Sequence, residues 1–351
     1  MDIFALLGRF TKCQIVLKAN KLTMKFTKTK KRTGLFLLVL ILILLIGLFP
    51  LPTQSPVQYY DRESGDLLVE KIPAERGLVW LYNNPVGELT LWALMKRKFV
   101  STQYGKRMDR PASAKAIEPF IEEFDIDMTA FQEQKFETFN EFFYRKLKDG
   151  ARSVDTLANS VVSPADGKLL AYEDISNSDF FVKGYRFDVA AFLNDSELAE
   201  KYLDGTLLII RLAPADYHRY HFPIDGKVSP NFQIDGDYYS VNPLALRKRM
   251  EIFCLNKREY TIVSNPLFGD VIMAEVGATM VGSMVQTYSG DFIHKGQEKG
   301  YFKFGGSTVV LLFEKDKIKI DEDLLTNSVK GHETYVKQGE RIGLSEVKST
   351  L

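Results

Sequence analysis

The sequence predicts an α+β protein: a membrane anchor and membrane-facing helices first, then a β-rich catalytic region. Three observations predict it. An unbroken apolar run at 34–49 follows a strongly basic tail. Between about residues 74 and 147, apolar and aromatic residues recur at helical spacing. From about residue 155 onward, short β-branched and aromatic runs alternate with Gly, Pro, Asp and Asn turns. The 351 residues suffice for one large domain or two modest ones, and 45% hydrophobic residues support a packed core.

The tail and the apolar run come first. The formal net charge is only +1, but residues 1–33 hold nine Lys or Arg against Asp2. The remainder then carries 37 basic and 44 acidic residues, a mildly acidic surface that argues against nucleic acid as a partner. Lys28, Lys30, Lys31 and Arg32 lead into the run, and Pro50 and Pro52 end it. The run is slightly short for a bilayer core, and Leu51 brings it within range. No A-x-A-like cleavage site follows, so an uncleaved anchor over 34–52 is expected rather than a signal peptide. Its basic flank places residues 1–33 in the cytoplasm. Met24 offers a second start with a shorter tail. The Lys-rich composition favours a bacterial inner membrane over a mitochondrial inner membrane.

Residues 53–154 read as a helical membrane-proximal region. A short strand pair over 58–72, turning at Ser64 and Gly65, precedes helices over 74–82 and 86–100. The second helix carries Leu89, Trp92 and Phe99, with Lys96, Arg97 and Lys98 at its end. Such a helix lies on an anionic bilayer surface or packs on the core. Ser113 is placed to cap a helix running to Phe124, and FETFNEFFYRKL at 136–147 reads as a third helix. Residues 155–351 read as the β-rich catalytic region, with strands at Thr206–Leu212, 260–264, 271–276, 279–288 and Ser307–Phe313.

The segment KGQEKGYFKFGGSTVVLLF at 295–313 is where chemistry concentrates. Gly305 and Gly306 allow backbone geometries closed to other residues. Ser307 follows at once, at the mouth of an apolar strand. A hydroxyl so placed can attack the carbonyl of Gly306, giving an ester by an N-to-O acyl shift. β-Elimination then splits the chain and leaves dehydroalanine, which hydrolyses to a pyruvoyl group. The plain alternative is a turn entering a core strand, and Gly-Gly-Ser by itself favours that turn.

Two other segments bear on the choice. Of four histidines, His218 and His221 fall together in PADYHRYHFP at 214–223, beyond an apolar strand. There they are a general base and acid or a pair of solvated loop imidazoles. They do not complete a metal site, and no metal is expected; Cys13 and Cys254 have neither zinc nor disulfide-framework spacing. Asp166, in SPADGK at 163–168, is either a turn residue or a carboxylate that orients an imidazole.

These segments, taken with others, resemble the phosphatidylserine decarboxylases, pyruvoyl enzymes that make phosphatidylethanolamine. The resemblance covers about residues 80–343. Its carriers are F-x-x-F-N-E-F-F-x-R at 136–145, 163–167, VKG at 182–184, 216–223, SVNPL at 240–244, 256–258, 277–283 and 295–308. Their order and number make it specific. The Gly-Gly-Ser-Thr form departs from the Leu-Gly-Ser-Thr version, which implies a different branch and leaves the chemistry intact.

The resemblance implies self-cleavage after Gly306 into a β chain, 1–306, and an α chain, 307–351, with Ser307 becoming the covalent pyruvoyl cofactor. It implies Asp166, His221 and Ser307 as the self-cleavage triad and His218 as the decarboxylation histidine. A Schiff base between the pyruvoyl group and phosphatidylserine then releases CO₂. It further implies a sandwich- or barrel-like core, work at the bilayer surface, and a homodimer as a common assembly. Three rivals remain at this stage: a pyruvoyl decarboxylase of a soluble amino acid, a Ser-His-Asp hydrolase in which Ser307 stays intact, and a non-catalytic membrane scaffold that has lost activity.

Overall fold

The computed structural model describes residues 33–39, 41–43, 45–49, 54–176, 187–249, 251–279 and 283–346. Residues 1–32 of the basic tail, VKG at 182–184 and residues 280–282 of the 277–283 segment lie outside them.

The strand Ser307–Phe313 is buried along its whole length. It pairs antiparallel with Gly269–Val276 on one side and Thr206–Leu212 on the other. Both neighbours extend the sheet. Arg258–Asn265, Gly226–Val228 and Phe292–Ile293 continue beyond the first, and Phe232–Ile234 also pairs with Arg258–Asn265. Gly167–Tyr172, Glu333–Val336, Gln58–Asp61 and Leu67–Val69 continue beyond the second.

A strand reads as a continuous apolar run when both its faces are covered, and both are covered here. Val309, Leu311 and Phe313 join Leu208, Ile210, Val271 and Met273 in one core, against Tyr220, Phe222, Phe302 and Ile342. Val310 and Leu312 join Leu207, Ile209, Ile272 and Ala274 in the other, against Phe192, Tyr239, Val241 and Phe253. The first core is roofed by two small sheets. One holds Met284–Gln286, Glu298–Phe302 and Arg219–His221; the other holds Ile318–Ile320, Arg341–Ser345 and Ser160–Val162. The second is roofed by short helices, among them Val189–Leu193, Pro243–Leu246 and Ile252–Leu255. Each large aliphatic side chain so buried contributes about 1.5–3 kcal/mol. The mixed α+β class and the β-rich core are therefore as expected.

The helical part is more broken than its periodicity suggests. Helix Glu75–Asn83 ends where Asn84 turns extended, and the Asn84 side chain accepts from the N–H groups of Val86 and Gly87 to start Pro85–Thr90. The expected helix over 86–100 then passes into a π-helical turn, Leu91–Met95, and stops at extended Arg97 before Lys98–Met108 begins. Ser113 does not cap the helix that runs to Phe124, Ile117–Phe124, which begins after Ala116. It sits inside the 3₁₀ segment Pro111–Ala116, its hydroxyl facing the carbonyls of Arg110 and Met108 and accepting from Phe139 N–H. The aromatic helix is only Phe139–Phe143, started by Thr138, whose hydroxyl accepts from Glu141 N–H at 3.2 Å.

The anchor over 34–52 is not supported: among the described residues no helix is long and apolar enough to cross a membrane. Residues 40, 44 and 50–52 of that span lie outside the described set. The others include helical turns with exposed Leu35, Phe36, Ile41 and Leu45. The stretch is tied to the body where Trp80 Nε1 donates to Gly47 O at 2.9 Å and Asn84 Nδ2 donates to Ile46 O at 2.8 Å.

Candidate active site

Ser307 is the first residue of the central strand and is fully buried. Its register partner is Leu212, the last residue of the neighbouring strand. The chain after Leu212 folds into a tight turn, Ala213–Asp216, closed by Asp216 Oδ2 accepting from Ala213 N–H at 2.7 Å. Lys168 Nζ holds both oxygens of that carboxylate, at 3.0 and 2.9 Å. The turn brings His218 back onto Ser307.

His218 Nδ1 lies 3.3 Å from Ser307 Oγ, and its Nε2 lies 3.0 Å from Ala213 O. A carbonyl only accepts, so Nε2 carries the proton and Nδ1 presents a lone pair to the serine hydroxyl. The Phe143 ring stacks on the imidazole, with centroids 3.8 Å apart and planes 21° from parallel. Burial, reinforced by the nearby Arg145 guanidinium, pushes the His218 pKa down to about 3. The imidazole is thus neutral at physiological pH.

His221 and Asp166 are placed differently. His221 Nδ1 donates to Gly296 O at 2.9 Å, and its Nε2 faces Tyr217 Oη at 3.1 Å, where it accepts. Burial lowers its pKa too, while the Gly296 carbonyl opposes the shift. Asp166 is buried, and its carboxylate takes Arg152 Nη2 at 2.6 Å and the backbone N–H of Gln338 at 2.7 Å. The structure therefore brings His218 to Ser307, whereas the hydrogen bonds of His221 and Asp166 go to other groups.

Several participants were not read from sequence. Phe143 lay in the aromatic run but carried no sign of an imidazole partner. Arg145, 1% exposed, donates to Ala215 O at 2.9 Å and lies over the rings of Phe131 and Phe142. Tyr217 and Arg152 occupy the partners expected for the triad.

Gly305 and Gly306 border open space. An apolar cavity of about 320 Å³ runs from Phe304, Gly305 and Gly306 to Tyr82, Leu91 and Met95 of the helical part. A smaller recess of about 80 Å³ meets Gly306 from the side of Val241, Asn242 and Ala213. Among the described residues no group of three or more His, Cys, Asp or Glu could hold a metal ion.

Comparison with known proteins places this arrangement. A family model described as phosphatidylserine decarboxylase matches residues 139–344. The phosphatidylserine decarboxylase proenzyme of Fusobacterium nucleatum is 51% identical over 291 residues, covering 82% of this chain and 97% of that protein. The proenzyme of the same name from Desulfitobacterium hafniense strain Y51 is 47% identical over 292 residues, or 82% and 98% of the two chains. One from Clostridium botulinum is 48% identical over 294 residues, or 83% and 100%.

Proposed function

The chain belongs to the phosphatidylserine decarboxylase family, and from that premise we infer that it is a phosphatidylserine decarboxylase that matures by cutting itself between Gly306 and Ser307. The observation that carries this reading is the setting of Ser307: a buried hydroxyl at the head of a rigid strand, 3.3 Å from a neutral imidazole, with two glycines before it that border an apolar cavity.

In the cut, Ser307 Oγ attacks the Gly306 carbonyl carbon. The Oγ–C bond forms, the C–N bond breaks, and the hydroxyl proton ends on the freed amine. A base then takes the Ser307 Cα proton, the Cβ–Oγ bond breaks, and Gly306 leaves as a carboxylate. Water replaces the nitrogen of the resulting dehydroalanine, releasing ammonia and leaving a pyruvoyl carbonyl at 307. The residues around Ser307 fit that group: His218 Nδ1 lies beside the Ser307 hydroxyl, and the neighbouring Gly306 opens on the apolar cavity. Once formed, it supplies an electrophilic carbonyl for the substrate amine and accepts the electron pair left when CO₂ departs.

We assign the cut to Asp166, His221 and Ser307, and the later protonation to His218. An imidazole pushed to about 3 is a poor base, so in the uncut chain His218 orients the hydroxyl rather than ionising it. Its protonated form is a strong acid, suited to delivering a proton to the carbon that loses CO₂. An arriving substrate carboxylate raises its pKa toward neutrality. His221 serves the cut once Tyr217 releases its Nε2, with the buried Asp166 carboxylate, whose charge favours the protonated ring, stabilising the imidazolium.

The cavity also suits a lipid. Its wall at Leu91 belongs to a surface where Leu89, Trp92, Leu94 and Phe99 are exposed beside Arg97 and Lys98, while Lys96 is taken up by Asp237. Apolar tips ringed by cations fit an anionic bilayer, and residues 34–52 add a further attachment at a bacterial inner membrane. A second copy would pair along the edge strand Leu67–Val69, whose three side chains are exposed.

The test of function is CO₂ release from phosphatidylserine vesicles and from free serine. Release from the lipid alone is expected. Equal release from free serine would shift the reading to a soluble-amine decarboxylase, and no release from cut protein would overturn it. Removing residues 1–52 should weaken co-sedimentation with those vesicles; unchanged binding would remove that segment as the main attachment.

A further inference from the structure

The FNEFF run does more than pack. Asn140, in the second position of helix Phe139–Phe143, is fully buried with both ends of its amide used. Its Oδ1 accepts from Phe304 N–H at 2.8 Å, and its Nδ2 donates to Asp109 Oδ1 at 2.8 Å. Lys303 Nζ lies 3.6 Å from the same Asp109 oxygen. Two consecutive residues of the approach to the cut site are thus held to one polar knot.

The ring of Phe304 is held as well. It meets Phe139 at 5.0 Å and Phe143 at 4.9 Å, both edge-on, and stacks with Tyr104 at 5.6 Å. Phe143 also carries His218, so one five-residue helix indexes both the imidazole at Ser307 and the backbone that leads to Gly306. Between this clamp and the scissile pair stands only Gly305, at φ +133°, a conformation that favours glycine.

The geometry points to Asn140 as a positioning residue for self-cleavage: by fixing the backbone at Phe304, it sets where the Gly306 carbonyl meets Ser307 Oγ. This inference rests on the reading of Gly306–Ser307 as the cut site. The role ends with the cut, because residues 304 and 307 then belong to separate chains. Asn140 therefore acts on maturation more than on turnover, and a loss of cutting well beyond any loss of turnover separates it from a residue that merely stabilises the fold.

The experiment follows newly synthesised full-length chain by denaturing electrophoresis and measures decarboxylation per pyruvoyl group in whatever has been cut. Asn140→Leu is expected to slow the appearance of the 307–351 fragment by about ten- to a hundredfold, the scale of a small misplacement of reacting atoms. Turnover per pyruvoyl group is expected to fall far less than the rate of cutting. Asn140→Asp keeps the acceptor for Phe304 but sets two carboxylates together, and is expected to cut slowly. Adding Asp109→Asn restores a donor between positions 109 and 140 and is expected to recover most of the rate.

Cutting of Asn140→Leu at the parent rate overturns the inference. So does a parallel fall in cutting, turnover per pyruvoyl group and melting temperature. If the leucine variant does not fold, the Asn140→Asp pair decides: recovery by Asp109→Asn supports the role, and no recovery overturns it. A parent chain that is never cut at 306–307 is a separate result, which removes the cut-site reading itself.

Discussion

Two short stretches meet at Ser307 and are held by different means. On the carboxyl side, Ser307–Phe313 is bonded along both edges to neighbouring strands, with alternate side chains sunk in two cores. On the amino side, Lys303–Gly306 runs outside any strand, held by the Asn140 knot and by the Phe304 ring. On the proposed reading, the nucleophile sits at the head of the sheet-bound part, and the carbonyl it would attack sits on the part held through the Asn140 and Phe304 side chains. A self-cleaving bond gains from this asymmetry. The reacting oxygen needs a fixed address, while the acyl group must change geometry during the shift and then leave.

The sharpest way to break this comparison is to separate the two histidines. His218→Asn is expected to yield chain that still cuts but decarboxylates about 10²- to 10⁴-fold more slowly, the usual loss for a missing acid–base group. His221→Asn is expected to leave the chain uncut over the same period. Mass spectrometry and CO₂ release read both. The reverse pattern would give the cut to His218, the imidazole that touches Ser307 in the intact chain.

Next come changes on either side of the boundary. Leu311→Ala should cost about 2–5 kcal/mol in urea unfolding, as buried leucines do, with the fraction cut unchanged under folding conditions. Gly305→Ala, at its positive φ, should cost only about 1–3 kcal/mol yet slow cutting markedly. If both variants lost stability and cutting in the same proportion, the two sides would not be distinct.

The smallest effect is on pH. Burial holds the folded-state pKa of His218 below the unfolded value, at about 3. The unfolded chain then binds the extra proton between about pH 6.5 and 3, so stability falls as pH drops through that window. The slope is about 1.4 kcal/mol per pH unit once the unfolded histidine is fully protonated. Urea midpoints between pH 7 and 5 check it, and His218→Asn should flatten the curve; an unchanged slope would mean that other groups set it.

What could be read in the sequence follows the same division. The strands Thr206–Leu212 and Ser307–Phe313 stand where their apolar runs placed them, because a central strand covered on both faces leaves an unbroken signature. The helical part was less legible. Asn84 and Pro85 restart the helix, Leu91–Met95 unwinds into a π turn, and neither event is announced by the apolar spacing. The span 34–52 looked like an anchor by hydropathy alone, and the described residues give no helix long enough to cross a membrane.

In the site, Ser307 and the histidine pair were visible as residue types in telling company. Their partners were not. The groups that hold His218, His221 and Asp166 include the carbonyls of Ala213 and Gly296 and the N–H of Gln338, and a backbone group has no letter in a sequence. Phe143 and Asn140 were legible only as parts of an aromatic helix, since contact with His218 and Phe304 depends on how that helix docks.

The most direct measurement is the intact mass of the purified protein under denaturing conditions, beside Ser307→Ala. The account predicts two chains for the parent, with the smaller spanning 307–351 and beginning in a pyruvoyl group, and one uncut chain for the variant. A single uncut chain for the parent, with Ser307 unmodified, would contradict it.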